Sequence, residues 1–188
     1  VDSDHMVSTL DLMPTLLEVV NIPIPVKQDG RSMLSILQGG TQQGRDAVFI
    51  SYNYITPGQQ VFPMRGVHTK EWSYVFNPWS DGVKKRLQGN GKQTENQSGL
   101  SFAAMQQAAL TDSAMQERLD TILLRSRDEL FDLRKDPYSF DNLSDNPEFA
   151  TQLRQMKQRV ADEMKRSADP LISAFENHTS YPDAWDQR

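Results

Sequence analysis

The sequence predicts an α+β fold, a small antiparallel sheet of about four strands packed by a long C-terminal helix. Three observations carry this. Short segments rich in β-branched and aromatic residues cluster in the middle of the chain. Helical patterns precede them, and one long stripe of helical period follows.

Asp11 opens the first element as the cap of a helix over 12–20, with Pro14 in the first turn, where a missing N–H costs no hydrogen bond. Met13, Leu16, Leu17 and Val20 fall on one face of it. Asn21-Ile22-Pro23-Ile24-Pro25 ends it, because residues before proline are pushed into extended geometry. Ser32 caps a short second helix, with Met33, Leu34 and Leu37 as its buried face and Gly39-Gly40 as its stop.

Residues 47–53 read as a buried strand. Segments 64–69 and 72–77 form a hairpin about Lys70-Glu71, although that turn has no glycine or asparagine. A polar, glycine-containing stretch from 78 to 98 reads as a surface excursion, and helical patterns return over about 100–110 and 113–123. Residues 128–133 alternate polar and apolar, which predicts a strand with Asp128, Glu129 and Asp132 keeping its outer side wet.

The last strong element is a helix over 147–166. Asn146 caps it, Pro147 takes its first position, and Asp145 with Glu148 offers a competing capping box. Its buried stripe is Phe149, Leu153, Met156, Val160 and Met164. Ala168-Asp169-Pro170 terminates it. The organisation is then a helical segment (1–45), a subdomain (46–170) with an inserted excursion at about 78–126, and an irregular tail (171–188).

Bulk chemistry narrows the function. A net charge of −5 gives no electrostatic reason to expect nucleic acid or an anionic membrane as partner. No apolar run approaches the roughly 18 residues that span a bilayer. Cysteine is absent, so disulfides and thiol nucleophiles are excluded. The start, Val1-Asp2-Ser3-Asp4-His5-Met6, resembles neither a signal sequence nor a transit peptide, as expected of a chain that continues something upstream. His5, His68 and His178 are scattered and lack the i, i+4 spacing of a zinc pair.

Three stretches together resemble the sulfatase family, most closely its heparan N-sulfatase (sulfamidase) branch. Val7-Ser8-Thr9-Leu10-Asp11-Leu12-Met13-Pro14-Thr15-Leu16-Leu17, trailed by Gly30-Arg31-Ser32-Met33-Leu34, is similar to the segment that follows the family's catalytic half. Pro63-Met64-Arg65-Gly66-Val67 with Trp72-Ser73-Tyr74-Val75-Phe76-Asn77 resembles its central hairpin. Glu129-Leu130-Phe131-Asp132-Leu133-Arg134-Lys135-Asp136-Pro137, then Asp141-Asn142-Leu143 and Asn146-Pro147, resembles its C-terminal signature. The residues themselves read structurally: Asp136-Pro137 as a turn, Asn142 as a local cap.

The resemblance implies hydrolysis of sulfate esters or sulfamates of sulfated carbohydrate, with periplasmic or secreted localisation. It also implies a formylglycine made from the first residue of Cys/Ser-x-Pro-x-Arg and a bound calcium ion. Neither the motif nor a ligand set is found in this chain, so none of its residues is expected to be catalytic or to bind metal, and the chain alone is expected to be inactive. Asp4-His5 resembles the family's second metal pair but lies too close to the Asp11 helix. Where His68 stands the family has arginine. The implied partner is an N-terminal catalytic domain that covers the Met13/Leu16/Leu17/Val20 face; without it, that face is expected to self-associate.

Family loops from this subdomain close over the active-site mouth, and Ser51–Thr56 corresponds to one of them. Asn53 and Tyr54 are its candidate substrate contacts, since a ring stacks on sugar C–H faces while an amide satisfies hydroxyls. Trp79 and Trp185 are further aromatic options. The rival class is a non-catalytic binding or interaction module derived from a sulfatase; a third is a related phosphonate hydrolase.

Overall fold

In a computed structural model the chain is described over residues 4–53, 63–80 and 99–178. It divides into two compact units, Val1–Val48 and Phe49–Arg188.

The first unit is built around one carboxylate. Ser8 caps a single 3-10 turn, Thr9–Asp11, that runs directly into helix α1 (Leu12–Val19). The expected cap, Asp11, makes no capping bond to α1. It instead reaches back to the Ser8 N–H at 2.8 Å, closing a capping box with Ser8, and gathers more distant donors described below. Thr15, buried one turn later, links α1 to the following loop: its hydroxyl donates to the Asp11 carbonyl at 2.6 Å and accepts from the Met33 N–H at 3.0 Å. Pro14 and Thr15 are the buried residues of α1, whereas Met13, Leu16 and Val20 are 49%, 65% and 59% exposed. Helix α2 (Leu34–Leu37) begins where the Ser32 hydroxyl accepts from the Leu34 N–H. Gly39 ends it with φ +84°, a conformation that costs glycine little. The expected buried face is not found: Leu37 is 67% exposed, and Met33 and Leu34 are only half-buried.

The second unit contains a four-stranded sheet in the order β1-β2-β3-β4, formed by Val48–Tyr52, Met64–His68, Trp72–Phe76 and Asp128–Asp132. β2–β3 and β3–β4 pair antiparallel, with Val67 opposite Tyr74 and Tyr74 opposite Leu130. The Lys70-Glu71 hairpin forms as expected, and Thr69 supplies what glycine or asparagine would have given. Its N–H donates to the Trp72 carbonyl at 2.8 Å, and its hydroxyl accepts from the Trp72 N–H at 2.9 Å.

Helices α3 (Gly99–Ala108) and α4 (Ser113–Leu123) pair with each other, the second capped by Asp112. Asn146 accepts from the Glu148 N–H, Pro147 opens a 3-10 turn, and α5 (Ala150–Arg166) continues from it. Met156, Val160 and Met164 of the expected stripe are buried, with Ala161 beside them, and α5 packs on β2 and β3. Phe149 meets the Trp72 ring at 5.8 Å.

Three expectations fail in this unit. β1 is not a buried strand: it lies at a sheet edge, with Phe49 and Ile50 37% and 44% exposed. The acids of β4 are not solvent-facing, because Glu129 and Asp132 are both buried and each holds an arginine, Arg125 and Arg134. The tail is not irregular throughout; α6 (Ile172–Glu176) brings Phe175 edge-on to Phe76 at 4.8 Å, and Leu171 before it is wholly buried.

Candidate functional site

The candidate contact Asn53 stands where β1 ends, and its surroundings are fixed by Arg65 of β2. Arg65 is 4% exposed, deep enough that each guanidinium N–H left unpaired would be costly. Each nitrogen finds acceptors. Nε donates to Asp169 Oδ2, and Nη2 to Asp169 Oδ1 at 3.2 Å, a two-pronged match of planar groups. Nη1 donates to the Met64 carbonyl at 2.8 Å, the Tyr52 carbonyl at 3.3 Å and Asn53 Oδ1 at 2.8 Å. Asn53 itself is exposed. Tyr54 lies outside the described residues, as do Thr56-Pro57-Gly58 and Trp185.

Asp169 reaches this position through the way α5 stops. Ala168 adopts φ +51°, its N–H donating to the Lys165 carbonyl, while the Asp169 N–H donates to Met164 O at 2.8 Å. These are the two bonds of a Schellman ending, made here without glycine. Asp169 Oδ1 also accepts from the Leu171 N–H at 2.8 Å, so one carboxylate ties the end of α5, the approach to α6 and strand β2. The pattern Ala-Asp-Pro predicted the helix stop but gave no sign of the arginine it would meet.

Other polar clusters serve the scaffold. The Tyr74 hydroxyl donates to Asp128, which Lys157 of α5 also contacts at 2.9 and 3.0 Å. Burial, reinforced by the Asp128 charge, pushes the Tyr74 phenol far above its ordinary range, so it stays protonated and keeps its proton for Asp128. His68 lies 3.3 Å from the Ser73 hydroxyl, and burial lowers its pKa below the ordinary 6.5. In the first unit, Arg45 grips both oxygens of Asp11, one of them at 2.9 Å, while the Arg31 N–H donates at 2.8 Å. These side chains border a cleft of about 290 Å³ lined also by Ser35, Gln42 and Gln43. Its charged groups are engaged: Arg31 donates to the Gly44 carbonyl, and Gln42 pairs both ways with the Met6 backbone.

Among the described residues, no group of three or more His, Asp or Glu side chains comes together in a way that could hold a metal ion. His5 belongs to the first unit, and in the second His68 stands in β2 and His178 after α6. The Asn142 side chain covers the outer edge of β4, accepting from the Leu130 N–H at 2.9 Å and donating to the Asp128 carbonyl at 3.3 Å. Asp136 accepts from the Asp141 N–H at 2.8 Å, closing the turn before it. Asn142 and Asp136 of the signature thus hold a strand edge and a turn.

Comparisons with known proteins follow the same lines. Residues 1–84 match a family model described as N-sulphoglucosamine sulphohydrolase, C-terminal. An ulvan-active sulfatase of Formosa agariphila is 25% identical over 171 residues, 90% of this chain and 31% of that protein. Human N-sulphoglucosamine sulphohydrolase is 25% identical over 186 residues, 92% of this chain and 35% of that protein. The chain thus spans about a third of the curated relatives it matches. The solved structure of a 2-O GAG sulfatase shares the fold, with TM-score 0.57 and 21% identity over 95% of this chain and 28% of that one. These likenesses support reading the chain as similar to the C-terminal region of sulfatases, with which it shares its fold.

Proposed function

We propose that this chain is the C-terminal part of an enzyme that hydrolyses sulfate esters or sulfamates of sulfated carbohydrate. The observation that carries the reading is likeness to sulfatases along nine-tenths of the chain, including relatives whose names specify ulvan and N-sulphoglucosamine. In this reading the nucleophile, as formylglycine, and a calcium ion belong to an upstream catalytic half. The described residues do not fit a metal, so no chemical step is assigned to them. Asn53, with Tyr54 after it, contacts the sugar at the mouth of the active site.

The partner for the first unit is that catalytic half. Leu12, Met13, Leu16, Val19 and Val20 of α1 and its end are about half exposed or more, an apolar face of the kind a second domain covers. The test compares two proteins on N-sulfoglucosamine and sulfated ulvan oligosaccharides. The full-length protein, carrying Cys/Ser-x-Pro-x-Arg upstream, releases sulfate from at least one of them, and the 188-residue chain releases none. Turnover by the chain alone, or an upstream reading frame without that motif, would refute the assignment and leave the binding-module reading.

A further inference from the structure

From the exposed pair Tyr138 and Phe140, with Arg118 against them, we infer that the second unit grips a sulfated polysaccharide chain at its surface. Sugar rings stack on the aromatics, and a sulfate group meets the guanidinium. The inference rests on the sulfated-carbohydrate reading above and adds a place where that carbohydrate is held.

The two aromatic residues lie between the signature pieces Asp136-Pro137 and Asp141-Asn142-Leu143. The loop that carries them is closed: the Ser139 N–H donates to the Asp136 carbonyl at 3.2 Å, and the Asp141 N–H to Asp136 Oδ2 at 2.8 Å. Ser139, between the two rings, stands in the left-handed region at φ +57°. Although the loop is closed, it does not turn its large side chains inward. Tyr138 and Phe140 are 75% and 56% exposed, and their ring centroids are 6.0 Å apart. Single apolar side chains scattered on a surface are ordinary, whereas adjoining ones mark a place of contact.

Arg118 of α4 adds charge to this pair. Its guanidinium carbon lies 4.2 Å from the centroid of the Phe140 ring. Arg45, Arg65, Arg125 and Arg134 are each held by a carboxylate, but Arg118 makes no ion pair among the described residues. The ring holds the cation in place and leaves its N–H groups for an anion. A planar fork of donors suits the oxygens of a sulfate as it suits those of a phosphate. Laid end to end, the 4.2 Å and 6.0 Å separations keep Arg118 within about 10 Å of the Tyr138 ring, so two linked sugars span them. A sulfated sugar answers both features at once: its C–H faces cover the rings while its sulfate neutralises the arginine.

The experiment runs the full-length protein and its Tyr138→Ala, Phe140→Ala and Arg118→Gln variants in affinity gel electrophoresis. The probes are ulvan, the same polymer after chemical desulfation, and polyvinyl sulfate, which carries sulfate without sugar rings. The native protein is expected to be retarded by ulvan, and each variant to bind it about fivefold more weakly or worse. Arg118→Gln should match the native protein on the desulfated polymer, and Tyr138→Ala should match it on polyvinyl sulfate. Kinetics on p-nitrophenyl sulfate should be unchanged in all three. Equal retardation of native and variant proteins by ulvan would overturn the inference. So would a loss found only in variants whose melting temperature or sedimentation coefficient falls, because the catalytic half or a second copy would then cover the rings. Sulfate release from N-sulfoglucosamine and ulvan oligosaccharides tests the underlying reading separately. A native protein that releases none, yet loses ulvan binding in the variants, would refute the enzyme and uphold the gripping surface.

Discussion

Arg65 on strand β2 and Asp169 beyond helix α5 form a two-pronged ion pair across 104 residues of sequence, with side-chain exposures of only 4% and 9%. Removing one partner leaves the other buried without compensation, which typically costs about 3–5 kcal/mol. Asp169→Asn is expected to fall in that range in urea unfolding of the second unit. Arg65→Lys is expected to lose nearly as much, since an ammonium cannot match the planar fork or serve Tyr52, Asn53 and Asp169 together.

Ala168 stands in the left-handed region at φ +51°, where its Cβ crowds the following carbonyl. Glycine meets no such penalty, and the Schellman bonds are backbone bonds that survive the change. Ala168→Gly is therefore expected to stabilise the protein by about 1 kcal/mol, read as a higher denaturant midpoint with an unchanged m-value.

Asn142 stands in for a missing neighbouring strand. With Asn142→Ala, the Leu130 N–H and Asp128 carbonyl lose their partners, and the Ser144 N–H loses an acceptor at 3.1 Å. The expected cost is about 1–3 kcal/mol. Native-state hydrogen exchange at the Leu130 amide should accelerate more than at amides that bond to β3; equal acceleration would mean that the edge is not what Asn142 protects.

Asp11 links stability to acid. Burial alone would raise its carboxyl pKa, but the bonds from Arg45, the Arg31 N–H and the Ser8 N–H outweigh it, and the group is held below its ordinary 3.8. A depressed carboxylate contributes stability that is complete above the unfolded value and disappears as pH falls through the folded one. The first unit is expected to hold its stability down to about pH 4 and lose part of it below the ordinary value. Asp11→Asn removes this acid limb and lowers stability at neutral pH, because an amide N–H2 then faces the Arg45 guanidinium. A variant with the same acid transition as the native chain would show that another group is responsible.

The sequence announced periodicity and punctuation well, and said little about long-range charge. The hairpin at Lys70-Glu71, the stop at Gly39 and the stripe Met156/Val160/Met164 are local or repetitive signals, and all are found. Glu129 and Asp132 read as part of one wet strand face, yet they stand three residues apart, on opposite faces of β4, and both are buried against Arg125 and Arg134. Likewise 47–53 reads as a buried strand by composition, but burial depends on position within a sheet, which pairing sets, and β1 lies at the edge. Asn53 was legible as a polar residue after a strand. Its partner Arg65 was legible only as part of a motif, so the contact between the two had to come from the structure.

The face of α1 supplies the last prediction. Leu16 is 65% exposed, Val20 59%, Leu12 51% and Met13 49%, while the interior of the same unit is fixed through Asp11 and Thr15 rather than through these side chains. A charge placed on the face should therefore leave the fold of the unit intact. In the isolated chain this face is expected to drive self-association, because apolar area removed from water contributes roughly 25 cal/mol per Å². Sedimentation velocity should show a concentration-dependent shift in the native chain, and Leu16→Glu should abolish it at unchanged far-ultraviolet dichroism. In the full-length protein the same substitution should loosen the contact with the catalytic half and lower its melting temperature. A native chain that remains monomeric at high concentration would argue that this face needs no partner.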